Sequence, residues 1–161
     1  MGVHDCVYGC RARPACYNAD GVSLGSYELV EHTADVGVLA RGQTLEEAYA
    51  QAALGLTSVM ADPGTIEERV EREVDVTAPD REALLVAWLN ELVYLFDAHN
   101  LLFRRFEVLE VAETRLRARC HGEQVDPSRH RLKTGVKSAT YHQLEVRRAD
   151  GGWRVHVILD I

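Results

Sequence analysis

Apolar and polar positions along the chain change period several times, and each change predicts an element. Tyr27–His32 reads as a strand. Val36, Val38 and Ala40 then alternate with Gly37, Leu39 and Arg41, predicting a second strand closed by Gly42. Thr44-Leu45-Glu46-Glu47 has capping-box spacing, in which a hydroxyl and a carboxylate three residues on satisfy orphan N–H groups. Behind it Leu45, Ala48, Tyr49, Ala52, Leu56, Val59 and Met60 recur at helical spacing, predicting a one-faced helix that ends near Asp62-Pro63-Gly64. In Ile66–Ala78 the residues Ile66, Val70, Val74, Val76 and Ala78 share one face of a strand whose other face is polar.

Pro79-Asp80 opens a second helix with Asp80 as N-cap. Its residues Leu84–Leu89, Leu92, Val93, Leu95 and Phe96 are apolar nearly all round, which predicts a place in the middle of the domain. Asn90, Glu91, Tyr94 and Asp97 leave a narrow polar stripe, either a solvent seam or a hydrogen-bonding surface at a groove or partner. After Leu101–Phe106, strands are expected at Phe106–Val111 and around Leu116–Cys120, and a long loop over Glu123–Gly135. Thr140–Arg148 and Trp153–Leu159 form the last two strands, joined by the hairpin signal Asp150-Gly151-Gly152. His142, Leu144 and Val146 are expected to share a face. Residues 1–26 show no sustained period and are rich in Gly, Pro, Asn and Ser, so they read as a poorly ordered N-terminal extension. Residues 27–161 then form a single α+β domain, with mostly antiparallel sheet packed with two helices in a two-layer sandwich.

Composition narrows the function. Of 161 residues 47% are hydrophobic and 27% charged, as in an ordinary globule. No apolar run approaches the ~18 residues needed to span a membrane, and no signal-peptide pattern opens the chain, so a cytoplasmic location is expected. The net charge of −7 arises entirely after Tyr27. It weighs against tight, direct nucleic-acid binding, which draws on Lys and Arg to neutralise phosphates. Arg115, Arg117 and Arg119 alternate on one strand, either as a basic stripe or as a wet face paired with Glu107, Glu110 or Glu113. Cys6, Cys10 and Cys16, near His4, lack the second ligand pair of a zinc site and read as reduced thiols in a tail.

Candidate chemistry gathers at His32-Thr33-Ala34-Asp35-Val36-Gly37, where an imidazole, a hydroxyl and a carboxylate fall between two strands. The last strand runs to the chain end, so Asp160 is followed at once by the α-carboxylate of Ile161. Carboxylates gathered near Asp35 would need a cation or proton, and all-oxygen ligation suits Ca2+ or Mg2+ rather than zinc. The alternative is a solvated terminus beside an ordinary Asp. Gly135–His142 offers Lys137, hydroxyls and His142 together after a loop; equally, Lys137 is a surface charge and His142 a satisfied sheet residue. Phosphate-binding, dinucleotide-binding, nucleophile-elbow and zinc-protease motifs are all missing.

Five stretches together resemble the archease family: H-T-A-D-V-G at His32–Gly37, the capping-box helix, the apolar run Leu84–Asp97, G-V-K-S-A-T-Y-H at Gly135–His142 and the terminal V-I-L-D-I. The resemblance covers Tyr27–Ile161. It implies an α/β sandwich that acts as a non-catalytic activator of the GTP-dependent RNA ligase joining 3′-phosphate or 2′,3′-cyclic phosphate ends to 5′-hydroxyl ends, in tRNA splicing or RNA repair. RNA would be met only through that protein partner. It further implies a divalent-cation site, Ca2+ first and Mg2+ or Mn2+ next, on Asp35, Asp160 and the terminal carboxylate of Ile161. The family's functional lysine corresponds to Lys137, with His142 and His32 nearby. Where the family tends to read K-A-V-T-Y-H this chain has K-S-A-T-Y-H, which leaves Lys137, Tyr141 and His142 in place. Two rival readings are a stand-alone metal-dependent hydrolase, with His32 or His142 as base, and a chaperone-like module with a structural metal.

Overall fold

A computed structural model of the chain describes residues 25–31 and 35–161. Its order is β1 (Ser26–Glu31), β2 (Asp35–Gly42), α1 (Leu45–Met60), a 3-10 turn (Pro63–Thr65), β3 (Val70–Thr77), α2 (Arg81–His99), β4 (Leu101–Val111), β5 (Arg115–Gln124), β6 (Ser138–Ala149) and β7 (Gly152–Asp160). The strands form a four-stranded sheet, β1-β2-β7-β6, and a three-stranded sheet, β3-β5-β4. Every pair of neighbouring strands is antiparallel. This is the expected α+β class. Among the described residues no helix is long and apolar enough to cross a membrane.

Each helix packs on both sheets, α1 against β2 and β4, α2 against β6 and β3. Trp88, Tyr49, Leu56, Leu84, Leu85 and Leu89 are among the largest fully buried side chains. The all-round apolar character of α2 is thus explained by apolar partners on both sides. Tertiary hydrogen bonds satisfy the polar atoms this burial brings in. Trp88 Nε1 donates to the carbonyl of Tyr49 at 3.0 Å, and Thr57 Oγ1 to that of Phe103 at 3.0 Å.

The caps fall where the side chains predict. Thr44 Oγ1 accepts from the Glu47 amide at 3.1 Å, and Asp80 Oδ1 from the Ala83 amide at 2.7 Å. The capping box has one variation: the Glu47 carboxylate reaches the amide of Gln43, not that of the cap residue itself. Asn100 closes α2 in the left-handed region, φ 54° and ψ 41°. Gly55 lets α1 lie directly on β2, because a Cβ there would stand 2.6 Å from Val38 Cγ1.

Several boundaries differ from the sequence reading. The strand expected from Ile66 begins at Val70. Asp62 caps the 3-10 turn, and the Ile66 amide donates to Pro63, so Ile66 is buried as a plug before the sheet begins. β4 passes straight through Phe106, where a break was expected, with register shifts at Phe103/Arg105 and Val108/Glu110. β5 continues to Gln124, so Glu123 is in a strand and not in the loop. β6 carries a register shift between Thr140 and Glu145, with Gln143 at φ 53°. The expected alternation of His142, Leu144 and Val146 is interrupted there: Leu144 and Val146 pack on the core, and His142 is exposed. The last hairpin turns on Asp150 and Gly151, both at positive φ as its two-residue turn requires.

Candidate functional site

The four-stranded sheet ends in an acidic pair. Asp35, first residue of β2, is the register partner of Asp160, last residue of β7. On its other side Asp160 pairs with Ser138, first residue of β6. Because β7 lies inside the sheet, Asp160 is held by neighbours on two sides. Val155, Val157 and Leu159 are fully buried toward the helices, which turns Asp160, Ile158 and His156 to the opposite face. Asp35 and Gly37 share that face on β2.

Directly opposite residues bring their Cβ atoms to about 4.5–5.5 Å, where two like charges repel. Asp35 Oδ1 is buried and has no hydrogen-bond partner among the described residues. A buried carboxylate oxygen without a donor is an expensive state. A hard cation would remove that cost, and the donor set is all oxygen. Among the described residues no three His, Cys, Asp or Glu side chains assemble a metal-ligating group. Two aspartates alone fall short of such a group.

Lys137 lies beside this pair. Its backbone amide donates to the Asp160 carbonyl at 2.8 Å, and its side chain is exposed. His142 sits further along β6, in the irregular stretch between Thr140 and Glu145, and is not brought to the acidic pair. His32 lies outside the described residues.

Two residues at this end went unnoticed or unassigned in the sequence. His156 Nδ1 contacts the Gln143 carbonyl at 2.9 Å, and its Nε2 leans over Gly37, where a Cβ would meet it at 3.2 Å. In the sequence His156 is one polar position in an alternating strand, with no signal of its own. Asn90, in the polar stripe of α2, reaches Ala139: its Oδ1 accepts from the Ala139 amide at 2.7 Å, and its Nδ2 faces the Ala139 carbonyl at 3.4 Å. Tyr94, on the same stripe, is exposed and meets His99 edge to face.

The arginine stripe proves to be a paired wet face. Arg115 pairs with Asp75, Arg117 with Glu110 at 3.1 Å, and Arg119 with Glu71 at 3.0 Å and with Glu107 at 3.7 Å. Glu113, an expected partner, instead lines a cleft with Asp80 and Trp153. Bonding to Arg115 holds the Asp75 carboxyl below its usual value. These guanidinium groups are already engaged by carboxylates, so the face is no ready phosphate site.

A second polar cluster holds the 125–137 loop. Glu123 is 2% exposed and accepts from His130 Nε2 and from Arg129 Nη2. His130 Nδ1 accepts from the Asp126 amide at 2.7 Å, so the ring's proton sits on Nε2. Burial alone would push the Glu123 carboxyl up; the donors from His130 and Arg129 more than offset this and hold it below the ordinary 4.5. Cys120, buried in the core, has its thiol pushed up to about 12 and is inert.

Comparison with known proteins agrees with this architecture. The family model of the archease protein family (MTH1598/TM1083) matches residues 27–161. The protein archease of Methanosarcina mazei is 42% identical over 139 residues, covering 84% of this chain and 95% of that one. That of Pyrococcus furiosus is 40% identical over 142 residues, covering 86% and 100%. The solution structure of Methanobacterium thermoautotrophicum protein 1598 superposes with a TM-score of 0.70 at 34% identity, covering 84% and 98%. The crystal structure of an archease, possible chaperone, from Thermotoga maritima shares the fold, with a TM-score of 0.52 at 18% identity over 82% of this chain and 94% of that one. The chain therefore belongs to the archease protein family.

Proposed function

We propose that this protein activates a GTP-dependent RNA ligase that joins 3′-phosphate or 2′,3′-cyclic phosphate ends to 5′-hydroxyl ends, in tRNA splicing or RNA repair, and that it does so through the Asp35–Asp160 end of the four-stranded sheet. The observation that carries this reading is the pairing of Asp35 with Asp160 across β2 and β7, with Asp35 Oδ1 buried and without a hydrogen-bond partner among the described residues. Asp35, Asp160 and the terminal carboxylate of Ile161 would hold a divalent cation, Ca2+ in preference to Mg2+ or Mn2+, because three carboxylates on strand ends suit a larger, geometrically tolerant ion. When bound, that ion supplies positive charge at a surface otherwise acidic, to which a partner's anionic groups can be drawn.

The chain's own residues do the rest. The sheet holds the two aspartates opposite each other at its strand ends, and this end is the one that would meet a partner's nucleotide site. Lys137, exposed just before the neighbouring strand β6, approaches a phosphate as a compact point charge. His142, exposed on β6 away from the acidic pair, is a second point of contact for the partner, and His32 a third. The net charge of −7 favours a protein partner, with RNA met through it. The protein promotes guanylylation of the ligase and repeated turnover, and catalyses no step itself.

The test compares guanylylation of the cognate ligase, with GTP and a 3′-phosphate RNA, in the presence of wild type, Asp35→Ala and Asp160→Ala. Loss of stimulation by both variants, with folding retained, is expected. Unchanged stimulation by both would overturn the proposal.

A further inference from the structure

We infer that Asn90 is a positioning residue: its carboxamide clamps the free edge of β6 at Ala139 and thereby holds Lys137 against the Asp160 strand end. The inference rests on the proposed role of Lys137 and adds to it the element that fixes that lysine.

Asparagine is a poor residue for the middle of a helix, because its side chain competes for backbone hydrogen bonds. Asn90 is nevertheless set in the Leu- and Val-rich centre of α2. A local rule broken inside a well-formed element points to a specific use. Here the use is visible: Oδ1 takes the Ala139 amide and Nδ2 faces its carbonyl.

β6 is the edge strand of its sheet, so the outward N–H and C=O of Ala139 have no strand to pair with. Ala139 is 5% exposed, so water does not replace a partner freely. Only three register pairs attach this part of β6 to β7: Ser138 with Asp160, Ala139 with Leu159 and Thr140 with Ile158. Beyond them the ladder is interrupted until Glu145, and before them the chain is a loop. Such a short segment between a loop and an irregularity is weakly held from one side alone. Thr140 Oγ1 to the Ile158 carbonyl, at 3.0 Å, is a second side-chain tie, but on the β7 side. Asn90 is the tie on the open side.

The helix is well placed to act as a backstop. Arg81, at its start, stacks over Trp153 of β7, next to Val146 in the same cleft. Nine residues further on, Asn90 meets Ala139. The helix therefore runs antiparallel to β6, and its core-bound mass stands behind the segment that carries Lys137.

Two measurements test this on the full chain. In amide hydrogen exchange, Asn90→Leu should speed exchange of the Lys137 amide by roughly three- to tenfold, the worth of one net hydrogen bond. Val74 and Ala118 in the other sheet should be unaffected, and Asn90→Asp, which keeps the acceptor for Ala139, should restore most of the protection. In ligase guanylylation, Asn90→Leu should lower maximal stimulation several-fold, and should add nothing in a Lys137→Ala background. Unaltered Lys137 exchange in Asn90→Leu, or losses from the two substitutions that multiply, would overturn the inference. If Lys137→Ala itself leaves stimulation intact, the proposed function of the lysine fails, while the exchange result still decides the clamp.

Discussion

Asp35 and Asp160 are 125 residues apart in the chain and stand directly opposite each other at one end of the four-stranded sheet. Two carboxylates in that relation repel, and Asp35 Oδ1 is buried without a hydrogen-bond partner among the described residues. A cation between them, or a neutral substitution at either position, would relieve that repulsion.

It follows that Asp160→Asn should be at least as stable as wild type in the presence of chelator, and less stable than wild type in excess Ca2+. Binding at a hundred times the dissociation constant is worth about 2.7 kcal/mol to the folded state, and only wild type gains it in full. Thermal melts of both proteins in EDTA and in millimolar CaCl2 give the four midpoints. A calcium-independent wild type would count against a cation site here.

The terminal carboxylate can be addressed without touching a side chain. Ile161 packs partly against the core, so its position is held. Amidating the α-carboxylate should weaken calcium binding by about tenfold or more, the loss of one charged oxygen donor, while the melting point in chelator stays near that of wild type. Calorimetric titration of a semisynthetic protein measures the affinity directly.

Glu123 contributes to the acid limb of stability. Its carboxyl is held below the ordinary 4.5 by His130 and Arg129, so the charged form is the one the fold favours. That stabilisation is present above 4.5 and is lost as pH falls through the lower folded value. Glu123→Gln should therefore be less stable at neutral pH, by about 1–3 kcal/mol for donors left poorly matched. The gap should narrow below the carboxyl's ordinary value. Urea titrations at several pH values would show two converging curves.

Gly55 and Val38 should behave as a coupled pair. Ala at 55 gains helix propensity of about 1 kcal/mol, yet its Cβ meets Val38 Cγ1 at 2.6 Å in a core where Val38 is fully buried. Overpacking costs about 1–3 kcal/mol, so Gly55→Ala should be net destabilising. The double variant with Val38→Ala should lose less than the sum of the single losses, because the new methyl fills the space vacated. Denaturation of the four proteins of this cycle gives the coupling energy.

Much of the architecture is legible in the chain because it depends on short-range chemistry. Thr44, Asp80 and the Asp150-Gly151 turn act on backbone groups within a few residues, and each sits where its side chain predicts. The periods of β2, α1 and α2 mark buried faces that any fold must cover. Asp35, Asp160, Ile161 and Lys137 could be named as a group because strand ends and a chain terminus were recognisable, and because the family resemblance joined them. Other features depend on partners far along the chain. Ile66 alternates as a strand residue but plugs the core, because the Pro63–Thr65 turn precedes it. β4 runs through Phe106 because β5 pairs with it on both sides of that point. The irregularity after Thr140 moves His142 away from the acidic pair, and no local pattern announces it. Asn90 read only as one residue of a polar stripe until Ala139 was beside it. Residue types and spacing thus determined the elements and the candidate chemistry, since caps, turns and amphipathic faces are local. Which carboxylate faces which, and which amide holds the strand between them, was decided by register and packing, since those pairings exist only between segments that the folded chain brings together.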